Sequence, residues 1–187
     1  MLQLPRRPWL EETDVRTGFQ HAGARCHPDG KAGSEEQFAK ATEAYQTLRE
    51  PASRLRHLLA LEAPAAAPAF AGATGMPAEL IALFPKMARV REVIDRWNQR
   101  RQIAPSALQR ALLDHELSTI RREANEASEE LMQAMNAAMD DLRKADGEWP
   151  SAGALQVLPA LQSRFAFLQK WQAQLREALL RLEIGEV

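Results

Sequence analysis

Histidine, proline and aspartate stand together at positions 27–29, within the polar stretch ARCHPDGKAG. His27 can exchange hydrogen bonds near neutral pH, and Asp29 can accept a charge-assisted one. Pro28 fixes its own φ angle and biases His27 towards an extended backbone, so both polar side chains would be held on a stiff tip. The tripeptide predicts a surface presented to a partner, although a simple turn at Asp29 and Gly30 with His27 capping a helix would use the same residues.

The residue types that catalysis or metal binding needs are present without the necessary spacing. Cys26 precedes His27, but adjacent residues at a helix end generally point apart, which argues against a thiol nucleophile assisted by a base. The glutamates between positions 123 and 130 lack the Glu-x-x-His partner of a di-iron site. No pair among the four histidines has metal-ligand spacing. We expect no catalysis, no metal and no cofactor.

Composition indicates an ordinary globular protein. The chain has 187 residues, 45% hydrophobic and 26% charged, with a net charge of -1, which allows one large or two small domains and gives no sign of nucleic-acid binding. No apolar run reaches the roughly 18 residues of a membrane span, and the N-terminus lacks the apolar core of a secretion signal. The single cysteine fits a reducing compartment. We expect a cytoplasmic protein that binds neither membrane nor nucleic acid.

Hydrophobic periodicity before position 62 predicts three short helices, over about 11–25, 34–48 and 52–61. The second begins with SEEQ, a capping box in which Ser34 can accept a hydrogen bond from the amide of Gln37. The apolar faces of the first two helices match, so we expect an antiparallel pair with positions 27–29 exposed at one end. The residues predicted to face the core are Val15, Phe19, Ala22, Cys26, Phe38, Ala41, Ala44, Tyr45, Leu48, Leu55, Leu58, Leu59 and Leu61.

The stretch EAPAAAPAFAGATGMP interrupts this pattern, because its prolines forbid a continuous helix. Beyond it we expect three amphipathic helices, over about 85–102, 105–145 and 151–182, that bury one another as an antiparallel bundle. Their inner stripes would include Leu108, Leu112, Ile120, Ala124, Ala127, Leu131, Met135, Met139, Leu142, Leu158, Leu161, Phe165, Leu168, Trp171, Leu175, Leu179 and Leu182. The sequence predicts an all-α protein with an N-terminal helical domain at 1–62, a linker at 63–77 and a C-terminal three-helix bundle at 78–187.

A helix, a His-Pro-Asp loop and a second helix with Phe38, Tyr45 and Leu48 in the spacing F-x6-Y-x2-L resemble a J-domain. The longer stretches LPRRPWLEETDVRTGFQHAGARCHPD and AYQTLREPASRLRHLLALE are similar to the J-domain of HscB co-chaperones of iron–sulfur cluster assembly. LFPKMARVREVIDRW and FLQKWQAQLREALLRL resemble the first and last helices of that family's C-terminal bundle. The resemblance implies a J-domain linked to a client-binding bundle.

The resemblance also implies a chaperone partner. In this family the loop contacts a heat-shock chaperone ATPase of the DnaK/HscA type and stimulates its ATP hydrolysis. The implied contact residues are His27, Pro28, Asp29, Arg16, Arg25 and Lys31. Gly18 stands where the family commonly has arginine, so the basic face is sparse and we expect weak affinity or a partner with adjusted charges. The segment MLQLP leaves little room for the family's first helix, so we expect an upstream start or a domain that lacks this packing element.

The client implied by the resemblance is an iron–sulfur scaffold protein of the IscU type. The implied client-binding residues are Phe84, Met87, Ala88, Arg91, Glu92 and Phe167. Phe167 fits a core position equally well and Met87 fits either role, because large apolar residues are usually inside. Two alternatives stay open: a general J-domain adaptor for another client, and a degenerate J-like protein without chaperone stimulation.

Overall fold

The computed structural model describes residues 2–27, 34–64, 76–104 and 106–184, and the side chains of all of these except 110 and 184. All regular structure within these ranges is helical and no strand occurs there, which confirms the all-α class. A 3-10 turn at Ala78–Leu80 precedes the fourth helix. The helices are α1 (Glu12–Cys26), α2 (Glu35–Arg49), α3 (Pro51–Glu62), α4 (Leu83–Gln102), α5 (Ala107–Gly147) and α6 (Ala152–Ile184). In the parts of the chain described, no helix combines the length and apolarity needed to cross a membrane.

Local signals in the sequence account for several helix starts. Ser34 caps α2 by accepting a hydrogen bond from the backbone N–H of Gln37 at 3.2 Å, as the capping box predicts. Pro51 occupies the start of α3, where its missing N–H would have had no helical partner. Ser151 precedes α6 and accepts a hydrogen bond from the N–H of Ala154 at 3.1 Å. The helix boundaries lie within two residues of the prediction.

The chain divides into two compact units, and one break between them, after Gly75, falls within the predicted linker at 63–77. The N-terminal unit combines Met1–Gly75 with Ala138–Phe165, and the bundle unit combines Met76–Ala137 with Ala166–Val187. The end of α5 and the start of α6 therefore belong with the N-terminal helices. Most of the predicted linker, residues 65–75, lies outside the described part of the chain.

Helices α1 and α2 pack antiparallel in the N-terminal unit, in agreement with their matching apolar faces. The ring of Phe19 on α1 stacks on Tyr45 of α2 with centroids 4.6 Å apart. Ala22 and Ala41 are fully buried in the same cluster. Such small side chains allow the two backbones to approach closely. The pair brings the end of α1 next to the start of α2.

A non-helical segment of residues 2–10, here called the strap, packs on α1 and α2. Leu2 and Leu10 are buried, with exposed fractions of 6% and 7%. A Cβ atom at Gly18 of α1 would lie 2.9 Å from the carbonyl oxygen of Leu2, so only glycine permits this approach. Residues 2–10 contain no helix, and the strap packs against α1 and α2 there.

A buried carboxylate holds the strap to the end of α5. Arg7 donates from Nε to Oδ1 of Asp146 at 2.9 Å and from Nη2 to Oδ2, and the backbone N–H of Trp9 donates to Oδ1 at 3.0 Å. This hydrogen bonding raises the pKa of Arg7. Trp149 adds a second link, because its Nε1 donates to the carbonyl oxygen of Arg6 at 2.9 Å. Residues more than 130 positions apart thus form one polar cluster.

Arg54 of α3 is buried beneath the strap. Its guanidinium donates to the carbonyl oxygen of Pro8 at 3.0 Å and to that of Leu48 at 2.9 Å. Burial lowers its pKa to about 10, against the opposing charges of Asp146 and Glu50. The group is still protonated at neutral pH, so its two carbonyl partners supply the compensation that a buried cation requires.

Charged pairs line the contact between α4 and the first part of α5 in the bundle unit, with the bases on α4 and the acids on α5. These pairs are Lys86–Glu130, Arg89–Glu123, Arg100–Glu116 and Arg101–Asp114. Trp97 is 1% exposed and donates from Nε1 to the carbonyl oxygen of Leu113 at 2.9 Å. Because positions rise along α4 as they fall along α5, the two helices are antiparallel.

Three predicted core positions are wrong. Leu61, Leu108 and Leu112 are 44%, 71% and 60% exposed. Leu61 is turned by about 110° from the middle of the buried stripe of α3, at 100° per residue. On α5 the first buried apolar residue is Leu113, whose backbone carbonyl accepts the hydrogen bond from Trp97. Leu112 and Leu108 lie one and five residues before it, which turns them by about 100° and 140° from Leu113 around the helix axis.

Candidate functional site

His27 lies directly after the last turn of α1 and is exposed. Its backbone is extended, with φ of -59° and ψ of 133°, as expected for a residue before proline. Its imidazole meets the ring of Phe38 edge-on, with centroids 5.7 Å apart. Phe38 belongs to the first turns of α2, so the α1–α2 pair itself sets the position of the histidine. Pro28, Asp29 and Lys31 lie outside the described residues, and their roles stay predictions.

The two arginines predicted to support the loop do not form one basic surface. Arg16 and Arg25 are both exposed on α1. They are nine residues apart, which places them about 180° from each other around the helix axis. Only Arg25 lies in the last turn of α1, next to His27. A single partner surface that contacts one side of α1 can therefore reach only one of these two arginines.

Phe84 and Phe167, the two aromatic residues predicted for client binding, are brought together in the bundle unit. Their ring centroids lie 6.3 Å and 6.0 Å from that of Trp171, and both contacts are tilted. Phe84 is 50% exposed and Phe167 is half-buried, whereas Trp171 is buried. We call these three residues the aromatic face. A buried indole thus supports two phenyl rings that keep part of their surface open to solvent.

Ala88, Arg91 and Glu92 continue the exposed side of α4 beyond Phe84. They follow it by four, seven and eight residues, the spacing of one helix side. Arg91 approaches Asp95 at 3.8 Å, and Asp95 also meets Arg181 of α6 at 3.4 Å. The aromatic face is therefore bordered along α4 by charged groups that already have partners within the chain.

Met87 does not belong to this exposed surface. Its exposed fraction is 9%, and it lies with Leu83, Val90 and Ile94 on the buried side of α4. It is three residues from Phe84, but the stripe that it continues begins at Leu83. Of its two predicted roles, the structure favours the core.

Two residues were not predicted as part of this region. Ile81 lies just before α4 and is 60% exposed, three positions from Phe84. Its apolar type beside Phe84 was the available signal. Trp171 was predicted as a core residue, which it is, but periodicity gives no sign that it supports two surface rings.

Possible metal ligands do not cluster in the described ranges. No group of three or more histidine, cysteine, aspartate or glutamate side chains there could hold a metal ion. Cys26 is half-buried at the end of α1. His27 and the aromatic face are the exposed polar and apolar groups that this arrangement offers at the predicted positions. Models of known protein families and curated protein sequences were compared with this chain, and none matches it.

Proposed function

We propose that this protein is a co-chaperone of the HscB type. It stimulates the ATPase of a DnaK/HscA-type chaperone through His27, Pro28 and Asp29, and it delivers an IscU-type iron–sulfur scaffold protein to that chaperone. The observation that carries the proposal is the antiparallel α1–α2 pair with an exposed histidine at the end where the chain passes from α1 to α2. This histidine stands immediately before the Pro-Asp dipeptide.

The chaperone contact is polar and small. The edge contact with Phe38 holds the imidazole of His27 in place, so little side-chain entropy is lost when a partner binds it. Asp29 supplies a carboxylate two residues later, which would form a charge-assisted hydrogen bond to an arginine of the chaperone. The separation of Arg16 and Arg25 supports a contact with modest electrostatic attraction.

The client contact is apolar. Phe84 and Phe167 together offer aromatic surface that rests on the buried Trp171, and anchored aromatic residues are the usual centres of protein interfaces. The proposal assigns no catalytic step and no cofactor to this chain, and it places the chain in the cytoplasm, where its one cysteine stays reduced.

An ATPase assay tests the two halves of the proposal separately. The purified chain added to a DnaK/HscA-type chaperone should raise its rate of ATP hydrolysis, and an added IscU-type scaffold should raise the rate further. If the chain alone gives no increase, it is a J-like protein without chaperone stimulation. If only the scaffold fails to add to the rate, the chain is a J-domain adaptor for another client.

A further inference from the structure

A groove of about 510 Å³ runs between α5 and α6 within the bundle unit. Six apolar side chains line it: Leu131, Met132, Met135, Leu175, Leu179 and Leu180. On α5, Glu130 contacts α4, and Met132 follows it by two residues. On α6, Trp171 contacts Phe84 of α4, and Leu180 follows it by nine residues. These separations turn both side chains by about 160–180° from α4. The groove therefore shares no surface with the aromatic face.

The lips of this groove expose more apolar surface than its floor. Met132 and Leu180 are 55% and 51% exposed, whereas Leu131 and Leu175 beneath them are buried at 4% and 7%. Two large apolar side chains on one groove form a patch of the kind that marks an interaction site. Methionine adds an adaptable side chain that can fit more than one apolar neighbour.

Two opposite charges on α6 flank the exposed leucine. Arg176 and Glu183 both line the groove and are seven residues apart, so they lie on the same side of the helix about 10 Å from each other along its axis. Leu179 and Leu180 lie midway between them. Neither charge forms an ion pair with another residue in the described part of the chain.

We propose that the groove binds the same groove of a second copy of this chain, with the two α6 helices antiparallel. A two-fold axis that crosses α6 between Leu179 and Leu180 would place Arg176 opposite the partner subunit's Glu183, and Glu183 opposite the partner subunit's Arg176. These two contacts are one ion pair, which the two-fold repeats. A parallel arrangement would instead oppose like charges, which disfavours it.

The apolar part of this interface is self-complementary in the same way. Leu180 of each copy enters the other groove near Met132, so both half-exposed side chains become covered. The charges at the ends set the register, and the leucines and methionines supply the apolar contact. The assembly does not depend on the co-chaperone proposal, because it uses neither positions 27–29 nor the aromatic face.

Sedimentation equilibrium of the full chain over about 1–300 μM tests the inference. The mass should rise with concentration from 20.9 kDa towards twice that value. Arg176→Glu and Glu183→Arg should each weaken the dimer about tenfold or more, and the double variant should return to within about threefold of the wild type. Leu180→Glu should leave a monomer. Val157→Glu, at an apolar position of the N-terminal unit that is 47% exposed, is the matched control and should change nothing.

Three results would overturn the inference. The first is a monomer at every concentration, which would leave the groove for a different helix or for no partner. The second is a dimer that survives Leu180→Glu. The third is a double variant, Arg176→Glu with Glu183→Arg, whose dimer is as weak as that of either single variant. In an antiparallel dimer the double variant restores both ion pairs, so its dimer should recover. The charge reversals lie on an exposed helix side, and circular dichroism checks that each variant remains folded.

Discussion

The half-exposed ring of Phe84 lies 6.3 Å from the buried ring of Trp171, so a core residue of α6 supports a surface aromatic of α4. Phe167 approaches the same indole from α6 itself at 6.0 Å. A surface aromatic that rests on a rigid core residue loses little freedom when a partner covers it. This geometry is what the client half of the proposed function needs.

Substitution of the aromatic face should separate binding from stability. Phe84→Ser should lower the free energy of unfolding by about 1 kcal/mol or less, because half of the ring is already exposed, while scaffold binding should weaken by about 2 kcal/mol or more. Trp171→Ala should instead cost about 3–5 kcal/mol of stability, as a core truncation does. Thermal melts and calorimetric titration measure the two effects. A Phe84→Ser variant that binds the scaffold normally would remove this residue from the client site.

The two glycines of α1 should respond in opposite ways to alanine. Gly23→Ala should stabilise the protein by about 0.5–1 kcal/mol, because alanine favours helix and its Cβ would meet only Phe38 at an ordinary 3.8 Å. Gly18→Ala should destabilise it, because its Cβ would lie 2.9 Å from the carbonyl oxygen of Leu2 and displace the strap. Urea unfolding of the two variants compares them directly. Equal stabilisation by both would show that the strap does not rest on α1.

Loss of the strap anchor should destabilise the N-terminal unit. Asp146→Ala removes the acceptor of Arg7 and of the Trp9 amide, and we expect it to cost about 2–3 kcal/mol. Asp140→Ala is the matched control, because its pair with Arg143 is exposed and should contribute less than about 1 kcal/mol. Limited proteolysis should also cut the first ten residues faster in Asp146→Ala alone. Identical cleavage of both variants would contradict the anchor.

Much of this organisation follows from patterns that a single sequence displays. Apolar stripes at helical spacing predict the helices, and the Ser34 capping box predicts the start of α2. The predicted burial of Leu108 and Leu112 on α5 was wrong. An apolar stripe shows which residues could be buried together, but it does not show how far along the helix another helix covers them. Contacts such as Arg7–Asp146 have no local signature, since nothing near either residue points to the other.

The candidate site shows the same limit. The exposure of His27 at the end of α1 is predictable, because the residues that end the helix are its neighbours in sequence. Its extended backbone follows from Pro28. The grouping of Phe84 with Phe167 came from a family resemblance, and its physical basis in Trp171 is visible only in three dimensions. Burial of Met87 likewise depends on which side of α4 meets the other helices.

Acid should weaken the pair between Asp141 and Arg164. The hydrogen bond from Arg164 at 2.8 Å is the main cause that lowers the pKa of Asp141 below 3.8. The stabilisation from the lowered pKa is fully present above pH 3.8 and is lost as the pH falls through the lower folded value. Asp141→Asn and Arg164→Gln should therefore both flatten the fall in unfolding midpoint below pH 3.8. A wild-type pH profile unchanged by both variants would show that the pair does not stabilise the fold.

Stimulation of a DnaK/HscA-type ATPase by a His27→Gln variant tests the proposed function most directly. His21→Gln is the matched control, because His21 is also exposed and lies six residues earlier on α1. Circular dichroism and thermal melts should show both variants folded as the wild type is. We predict that His27→Gln loses about tenfold or more of the stimulation and that His21→Gln keeps it. Full stimulation by a folded His27→Gln variant would contradict the co-chaperone assignment.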